Sequence, residues 1–341
     1  MLQTIVPEAY KIDFLDVPVP KVGNDQVLIK IKRVGICGSD IQVYHGKHKY
    51  MTFPIVQGHE VAGIITEVGK NIERFKIGDK VTVQPQNVCG KCYPCSIGRY
   101  NVCENLRVMG IHDPGMCVEY FLVNASKVLK LPNDMEFDTG ALVEPTAVGV
   151  HAVKKIGEIK GSNVVVLGAG AIGNLTAQAA KALGANKVMI TDIKDKRLDI
   201  AKNSDIDYCI NTMKVDLGDA IKEHFGSKGA DAIIDCAAVK ATINQAIYNA
   251  RRASKIIVVG NFKEKIEIEM PMLQRQEIDL IGVMMYIEED FKDAINLLQE
   301  NKIKTDGIIT NYFDIRQFKE AYDYIDNHMD DVIKVMLKLE D

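Results

Sequence analysis

No stretch of the 341-residue chain approaches the roughly 18 uninterrupted apolar residues of a membrane-spanning helix, so none is expected. A basic excess is also missing. Lys and Arg number 42 against 46 Asp and Glu, a net charge of −4, which argues against a nucleic-acid or anionic-membrane partner. Residues 1–20 carry Glu8, Asp13 and Asp16 and lack a basic start followed by an apolar block, so no export signal is expected. Internal repeats and low-complexity linkers are absent as well. At 47% hydrophobic and 26% charged, the chain is too apolar for disorder. Its length suggests about two domains. A cytoplasmic protein with a small-molecule partner is the expectation.

Cysteine is what the chain does have, unevenly. Of eight, four fall within fifteen residues: Cys89, Cys92, Cys95 and Cys103. In a chain without an export signal, such a cluster reads as thiolate metal ligation rather than disulfides. Four thiolates around a d10 ion make a closed tetrahedral site, which suits structural zinc and leaves no position open for chemistry. Gly90, Pro94 and Gly98 let the chain fold tightly there, and Lys91 and Arg99 offset the negative charge. An iron–sulfur cluster would want a closer fourth Cys followed by Pro. A zinc-ribbon nucleic-acid reader would want a basic face.

Residues 1–147 are rich in short apolar runs (26–31, 61–68, 80–83) separated by turn signals, the pattern of a barrel-like β domain. From about residue 160, five apolar runs (163–167, 187–191, 231–236, 255–259, 279–283) alternate with amphipathic segments (171–183, 194–202, 215–225, 240–251). That alternation indicates a parallel sheet covered on both faces. Segments 290–298 and 314–327 read as helices, and 332–339 as a closing strand.

After the first of those runs comes Gly168-Ala169-Gly170-Ala171-Ile172-Gly173, followed by a helical pattern, and Asp192 ends the next run. This is the context of a dinucleotide-binding turn. Gly168 would permit the turn, Gly170 the approach of a pyrophosphate, and Gly173 close helix–strand packing. Backbone N–H groups at the helix start, around Ile172, face the phosphates. Asp192 can accept from the adenosine-ribose hydroxyls and repel a 2′-phosphate, favouring NAD(H) over NADP(H). Lys194 and Arg197 soften that preference.

Outside the cluster, Cys37 lies in Gly35-Ile36-Cys37-Gly38-Ser39-Asp40, His59 in Gly58-His59-Glu60 and Glu144 in Leu142-Val143-Glu144-Pro145. Cys, His and a carboxylate with one vacancy is the arrangement of catalytic zinc. Spacing alone cannot join the three.

Taken in order, these segments, with Gly63, resemble the zinc-dependent medium-chain alcohol dehydrogenase family along essentially the whole chain. Glu144-Pro145 followed by Val148-Gly149-Val150-His151-Ala152 resembles its polyol branch of sorbitol, galactitol-phosphate, threonine and sugar-acid dehydrogenases. The resemblance implies an α/β protein: a GroES-like β-barrel catalytic domain (1–147 and 287–341, with a structural zinc lobe at 86–105) and a Rossmann doubly wound parallel sheet (148–286). It implies two zinc ions per chain, NAD(H), and a homodimer or homotetramer. Cys37 and His59 would be catalytic-zinc ligands, with Glu144 as the third and Glu60 as the alternative. Asp40 would orient His59, Ser39 would pass on the substrate proton, and Arg197 would lie along the adenosine.

The implied reaction moves hydride from a secondary alcohol of a polyol or sugar acid, with or without phosphate, to NAD. Two departures bear on it. Gln42 stands where relatives often carry a relay histidine, leaving His45 and His48 as nearby candidates. Met284-Met285 stands where sorbitol enzymes usually place an arginine. His112, in a segment that lines the substrate pocket of relatives, is a candidate substrate contact. The competing readings are a threonine- or butanediol-type dehydrogenase, a zinc-free quinone reductase-like enzyme, and a non-catalytic NAD-sensing binding protein.

Overall fold

The computed structural model describes residues 1–339; residues 340 and 341, the end of the expected 287–341 segment, lie outside the described residues. The chain divides into two compact units, residues 1–144 with 287–295 and 309–341, and residues 145–286 with 296–308.

The first unit is built on strand Gln26–Ile36, which runs past the expected 26–31 because Val34, Gly35 and Ile36 are buried too. One of its edges pairs with Glu60–Val68. Its other edge is shared, Tyr120–Asn124 pairing with its first half and Lys334–Lys338 with its second. The sheet continues to Lys80–Val83 and Val128–Lys130 on one side and to Ile309–Asp314 on the other. All pairs are antiparallel except Ile309–Asp314 with Lys334–Lys338. Val27, Ile29, Ile31, Val34, Ile65, Val81 and Leu337 are buried in its core. Burying each aliphatic side chain contributes roughly 1.5–3 kcal/mol.

The second unit holds six parallel strands in the order Tyr208–Asn211, Lys187–Asp192, Asn163–Leu167, Ala232–Asp235, Lys255–Val258, Asp279–Gly282. Numbered along the chain this is 3-2-1-4-5-6, the doubly wound order whose ligand crevice lies where the order reverses. That point falls beyond the carboxyl ends of Asn163–Leu167 and Ala232–Asp235. Asn163–Leu167 is buried at every residue, as a central parallel strand must be.

Several elements had no clear sequence signature. The hairpin Leu2–Ile5 with Asp13–Asp16 joins four-residue strands that are half polar, and the edge strand Tyr208–Asn211 is as short and only half-buried. Strand Ile309–Asp314 precedes a helix that begins only at Phe318, after a single tight turn at Ile315–Gln317. Helix Val143–Lys154 was hidden by Pro145 and Gly149. Pro is tolerated in a first turn. A Cβ on Gly149 would meet the Thr176 backbone at 3.0 Å, so the glycine there serves close packing. Among the described residues no helix is long and apolar enough to cross a membrane.

Candidate active site, thiolate cage and dinucleotide loop

The antiparallel register Gly35↔Glu60 sets the end of one central strand beside the start of the next. Cys37 follows the first strand as the N-cap of helix Gly38–Tyr44, and His59 immediately precedes the second. Residues 22 apart in sequence thus become neighbours: ligand atoms of Cys37, His59 and Glu60 lie within 4.8 Å of one another. Glu144, buried at the start of helix Val143–Lys154, is not a member of that trio.

Asp40 organises the trio from behind. Its Oδ2 accepts the Cys37 backbone N–H at 2.9 Å, and its Oδ1 faces His59 Nδ1 at 3.3 Å. Asp40 Oδ1 and His59 Nδ1 are both buried and have no hydrogen-bond partner among the described residues. A carboxylate behind one ring nitrogen fixes the tautomer and leaves the other for a metal. Burial opposes charge on His59, but Asp40 and Cys37 outweigh it and hold its pKa well above the ordinary imidazole value. The Asp40 backbone is itself pinned: its carbonyl accepts from Gln57 Nε2 at 2.8 Å, and Gln57 Oε1 accepts from the buried Tyr322 hydroxyl at 2.8 Å. Ser39 sits half-buried in the helix's first turn.

One residue of the site went unnoticed in sequence. Lys334 begins the strand on the far side of Cys37, with Val335 in register with Ile36. Its Nζ donates to both Glu60 oxygens at 2.7 Å and to the Ile36 carbonyl at 3.2 Å. The pair is buried, at 4% and 0% side-chain exposure. Gly35 makes room for it, since a Cβ there would come 2.2 Å from Glu60 Oε2. Burial lowers the Lys334 pKa, yet Glu60, Cys37 and Glu144 together raise it above the usual lysine value. Its sequence neighbourhood gives no signal, since the same strand also carries Lys338.

The candidate proton carriers are dispersed. His45 Nε2 lies 2.9 Å from Asp326 Oδ2, and its ring stacks on Tyr10 at 5.0 Å. His112 Nδ1 accepts the Val108 N–H at 3.0 Å.

The second cluster is local. Sγ separations of 3.4 Å (Cys92–Cys95), 3.5 Å (Cys89–Cys103) and 3.8 Å (Cys92–Cys103) are far beyond a disulfide bond. They approach the ~3.8 Å edge of a tetrahedron with metal–sulfur bonds of about 2.3 Å. All four sulfurs fall within 4.8 Å of one another. Backbone N–H groups of Lys91 and Cys92 pull the Cys89 thiol down to about 6, while desolvation and the other sulfurs push Cys95 up to about 12. Four soft donors in a closed cage suit zinc.

In the second unit, each glycine of the 168–173 turn has a distinct geometry. Gly168 has φ +96°, and a Cβ on Gly173 would collide with the Gly168 carbonyl at 1.7 Å. Around Gly170, the N-cap of helix Ala171–Ala182, a Cβ would meet nothing within 4 Å, so the loop leaves a cradle at a helix N-terminus. Ile172 lies half-buried in the first turn. Asp192 Oδ2 accepts the Ala169 N–H at 2.8 Å, and Oδ1 accepts from Ile193 and Lys194 N–H at 2.8 and 3.0 Å. Each carboxylate oxygen has two lone pairs, so Asp192 keeps acceptor capacity at Oδ2. Arg197 Nη1 stands 3.8 Å from that oxygen.

A doubly wound dinucleotide sheet in one chain with a thiolate–imidazole–carboxylate trio defines a metal- and nucleotide-dependent oxidoreductase. Comparison with known proteins sharpens the class. Residues 23–133 match the alcohol dehydrogenase GroES-like domain, and residues 171–300 match the zinc-binding dehydrogenase domain. The chain is 31% identical over 342 residues to a sorbitol dehydrogenase of Bacillus subtilis, covering 99% of this chain and 97% of that one. It is 34% identical over 330 residues to a D-arabitol-phosphate dehydrogenase of Enterococcus avium, covering 95% and 93%. Two solved structures align over 99% of both chains with TM-scores of 0.91. One is an alcohol dehydrogenase from Escherichia coli complexed with NADH, 30% identical. The other is a zinc-binding dehydrogenase from Sinorhizobium meliloti bound to NADP, 28% identical. The chain belongs to the zinc-dependent medium-chain alcohol dehydrogenase family, and it is an alcohol dehydrogenase.

Proposed function

We propose that this chain oxidises a secondary alcohol of a polyol or sugar acid, with or without a phosphate, to the ketone, with NAD(H) as the preferred carrier. The observation that carries the reading is the trio Cys37, His59 and Glu60, whose donor atoms lie within 4.8 Å of one another and are backed by Asp40. The relatives' sorbitol and arabitol-phosphate names support the substrate class.

When bound, zinc supplies a Lewis acid that lowers the pKa of an alcohol hydroxyl by many units, and a nicotinamide supplies the hydride acceptor. The chain's own residues do the rest. Cys37 and His59 hold the metal, and Asp40 keeps the His59 tautomer. Ser39, two residues after Cys37, receives the substrate's hydroxyl proton. Gln42 cannot titrate, so the proton leaves Ser39 through water or through His45, which is held 2.9 Å from Asp326 Oδ2. Gly168, Gly170, Ile172 and Gly173 receive the pyrophosphate, Asp192 the ribose, and Arg197 the adenosine. Asp192 disfavours a 2′-phosphate, hence NAD(H) before NADP(H). A second zinc ion occupies the cage of Cys89, Cys92, Cys95 and Cys103. A cytoplasmic setting fits the eight free cysteines, and a homodimer or homotetramer is part of the same proposal.

Glu144 is proposed as the third protein donor, because Lys334 already engages both Glu60 oxygens. The spacing of the trio favours a second reading with Glu60 in that place. Zinc content separates them: Glu144→Gln should lose one of two zinc ions with the fold intact, whereas loss in Glu60→Gln alone would transfer the role to Glu60.

The overall reading is tested by following NADH formation with a panel of polyols and sugar acids, repeated with NADP. Turnover of at least one such substrate, faster with NAD, is expected. Nucleotide binding without hydride transfer to any of them would overturn the polyol and sugar-acid assignment.

A further inference from the structure

Two histidines on separate loops of the first unit meet edge to face. The His48 and His112 ring centroids are 6.3 Å apart at 79°. Both loops are built to hold them. The Gln42 carbonyl accepts the N–H groups of Lys47 and His48, at 2.8 and 3.1 Å, and this turns the chain back after helix Gly38–Tyr44. His112 is fixed by its own N–H to the Val108 carbonyl at 2.8 Å and by Arg107 Nη2 on its carbonyl at 2.6 Å.

Each ring is committed at one nitrogen only. His48 Nδ1 accepts the Tyr50 N–H at 3.4 Å, and His112 Nδ1 accepts the Val108 N–H at 3.0 Å. An imidazole nitrogen that accepts carries no proton, so the hydrogen of each neutral ring sits on Nε2. Among the described residues neither Nε2 has a hydrogen-bond partner, although both rings are half-buried. Each ring thus holds out an N–H donor that no protein group among the described residues engages, and that a ligand oxygen can take over from water.

Their neighbourhood says which ligand. Burial, then the neighbouring His112, lower the His48 pKa against the opposing pull of Asp40. Burial and Arg107 lower that of His112 against Asp113. Both rings are therefore neutral at pH 7, and neutral N–H donors suit hydroxyl or carboxylate oxygens better than a phosphate dianion, which prefers cationic partners.

We propose that His48 and His112 together form a recognition subsite for the substrate's oxygen-bearing tail, each donating from Nε2 to a hydroxyl or carboxylate oxygen remote from the reacting carbon. This deepens the polyol and sugar-acid reading and rests on it. His112 alone was a candidate contact; the paired subsite adds His48 and specifies donation. The roles are substrate recognition, with no proton transferred.

The test uses the zinc-loaded enzyme with four substrates: xylitol, gluconate, sorbitol 6-phosphate, and butane-2,3-diol, which lacks a tail. His48→Ala and His112→Ala should each raise KM for xylitol or gluconate about tenfold, the effect of roughly one hydrogen bond. kcat should stay within about twofold, and butanediol parameters should not move. The double variant should fall short of the sum, because both rings serve one ligand. His48→Gln, which keeps an amide N–H, should recover much of the loss. A binding readout runs beside the kinetics: the ring Nε2 resonances of both histidines, in protein labelled with nitrogen-15 and saturated with NADH, should shift on adding xylitol or gluconate.

Unchanged KM values in both alanine variants with unmoved resonances would overturn the subsite while leaving the dehydrogenase intact. So would an effect confined to sorbitol 6-phosphate, or an equal fall in kcat for all four substrates. Shifted resonances in a wild-type protein that oxidises none of the four would instead retire the polyol and sugar-acid oxidation reading and keep the subsite.

Discussion

The two thiolate-bearing regions of the first unit differ in how their ligands are gathered. The cage of Cys89, Cys92, Cys95 and Cys103 closes within one segment of chain, around the short helix Tyr93–Ser96 and the turn Tyr100–Val102. The Cys37–His59–Glu60 trio is gathered by the register of two strands, Gln26–Ile36 and Glu60–Val68, and a third, Lys334–Lys338, pairs beside them. A site closed by local chain can be complete in itself. A site assembled by register inherits whatever the neighbouring strands bring, here a buried lysine from the far end of the chain. On the proposed assignment, that difference separates a closed structural cage from a site open to substrate, and stability from turnover.

Substitutions of single cysteines should pull the two apart most sharply. Cys37→Ala is expected to lower turnover by several orders of magnitude, since it removes a ligand of the group that acidifies the alcohol. Its melting temperature should stay near the wild-type value, and the cage zinc should remain. Cys92→Ser should do the reverse: a melting-temperature loss of roughly 5–10 °C, a few kcal/mol, as the cage loses its ion. Residual activity at low temperature should survive. Paired calorimetry and steady-state rates on both proteins check this, and two variants that behave alike would erase the contrast.

The strand-borne site makes a further demand. Lys334→Met leaves Glu60 fully buried without its cation, at an expected stability loss of about 3–5 kcal/mol. Adding Glu60→Gln removes the stranded charge, so the double variant should be more stable than Lys334→Met alone in denaturant titrations. Additive losses would mean the pair is not coupled as its 2.7 Å contacts imply.

In the second unit the glycine turn gives a finer comparison. Gly173→Ala forces a methyl group onto the Gly168 carbonyl and should destabilise by a few kcal/mol. Gly170→Ala adds its methyl group to open space, so stability should change by less than about 1 kcal/mol while NADH affinity falls. Fluorescence titration with NADH reads that affinity. Smallest is the expected change in cofactor choice: Asp192→Ala should lower the NAD-over-NADP ratio of kcat/KM about tenfold, one charged hydrogen bond's worth.

What was legible in the sequence follows the same division. Buried parallel strands such as Asn163–Leu167 announce themselves as unbroken Val and Leu, and the four-cysteine spacing announces its cage. The 168–173 turn could be read glycine by glycine because each meets a local need: positive φ at Gly168, open space at Gly170 and close packing at Gly173. Edge strand Tyr208–Asn211 could not, since its residues bury little and resemble a loop. Helix Val143–Lys154 was masked by Pro145 and Gly149, whose reasons lie in first-turn geometry and in packing against Thr176. Cys37 and His59 could be nominated only by resemblance, because strand register joins them. The Lys334–Glu60 pair, 274 residues apart, left no local trace.

The most direct measurement is anomalous diffraction at the zinc edge from crystals of enzyme with measured full activity. The account expects two peaks per chain, one inside the four-cysteine cage and one bonded to Cys37 and His59 at about 2.3 and 2.0–2.1 Å. A single peak, in the cage, from fully active protein would contradict it.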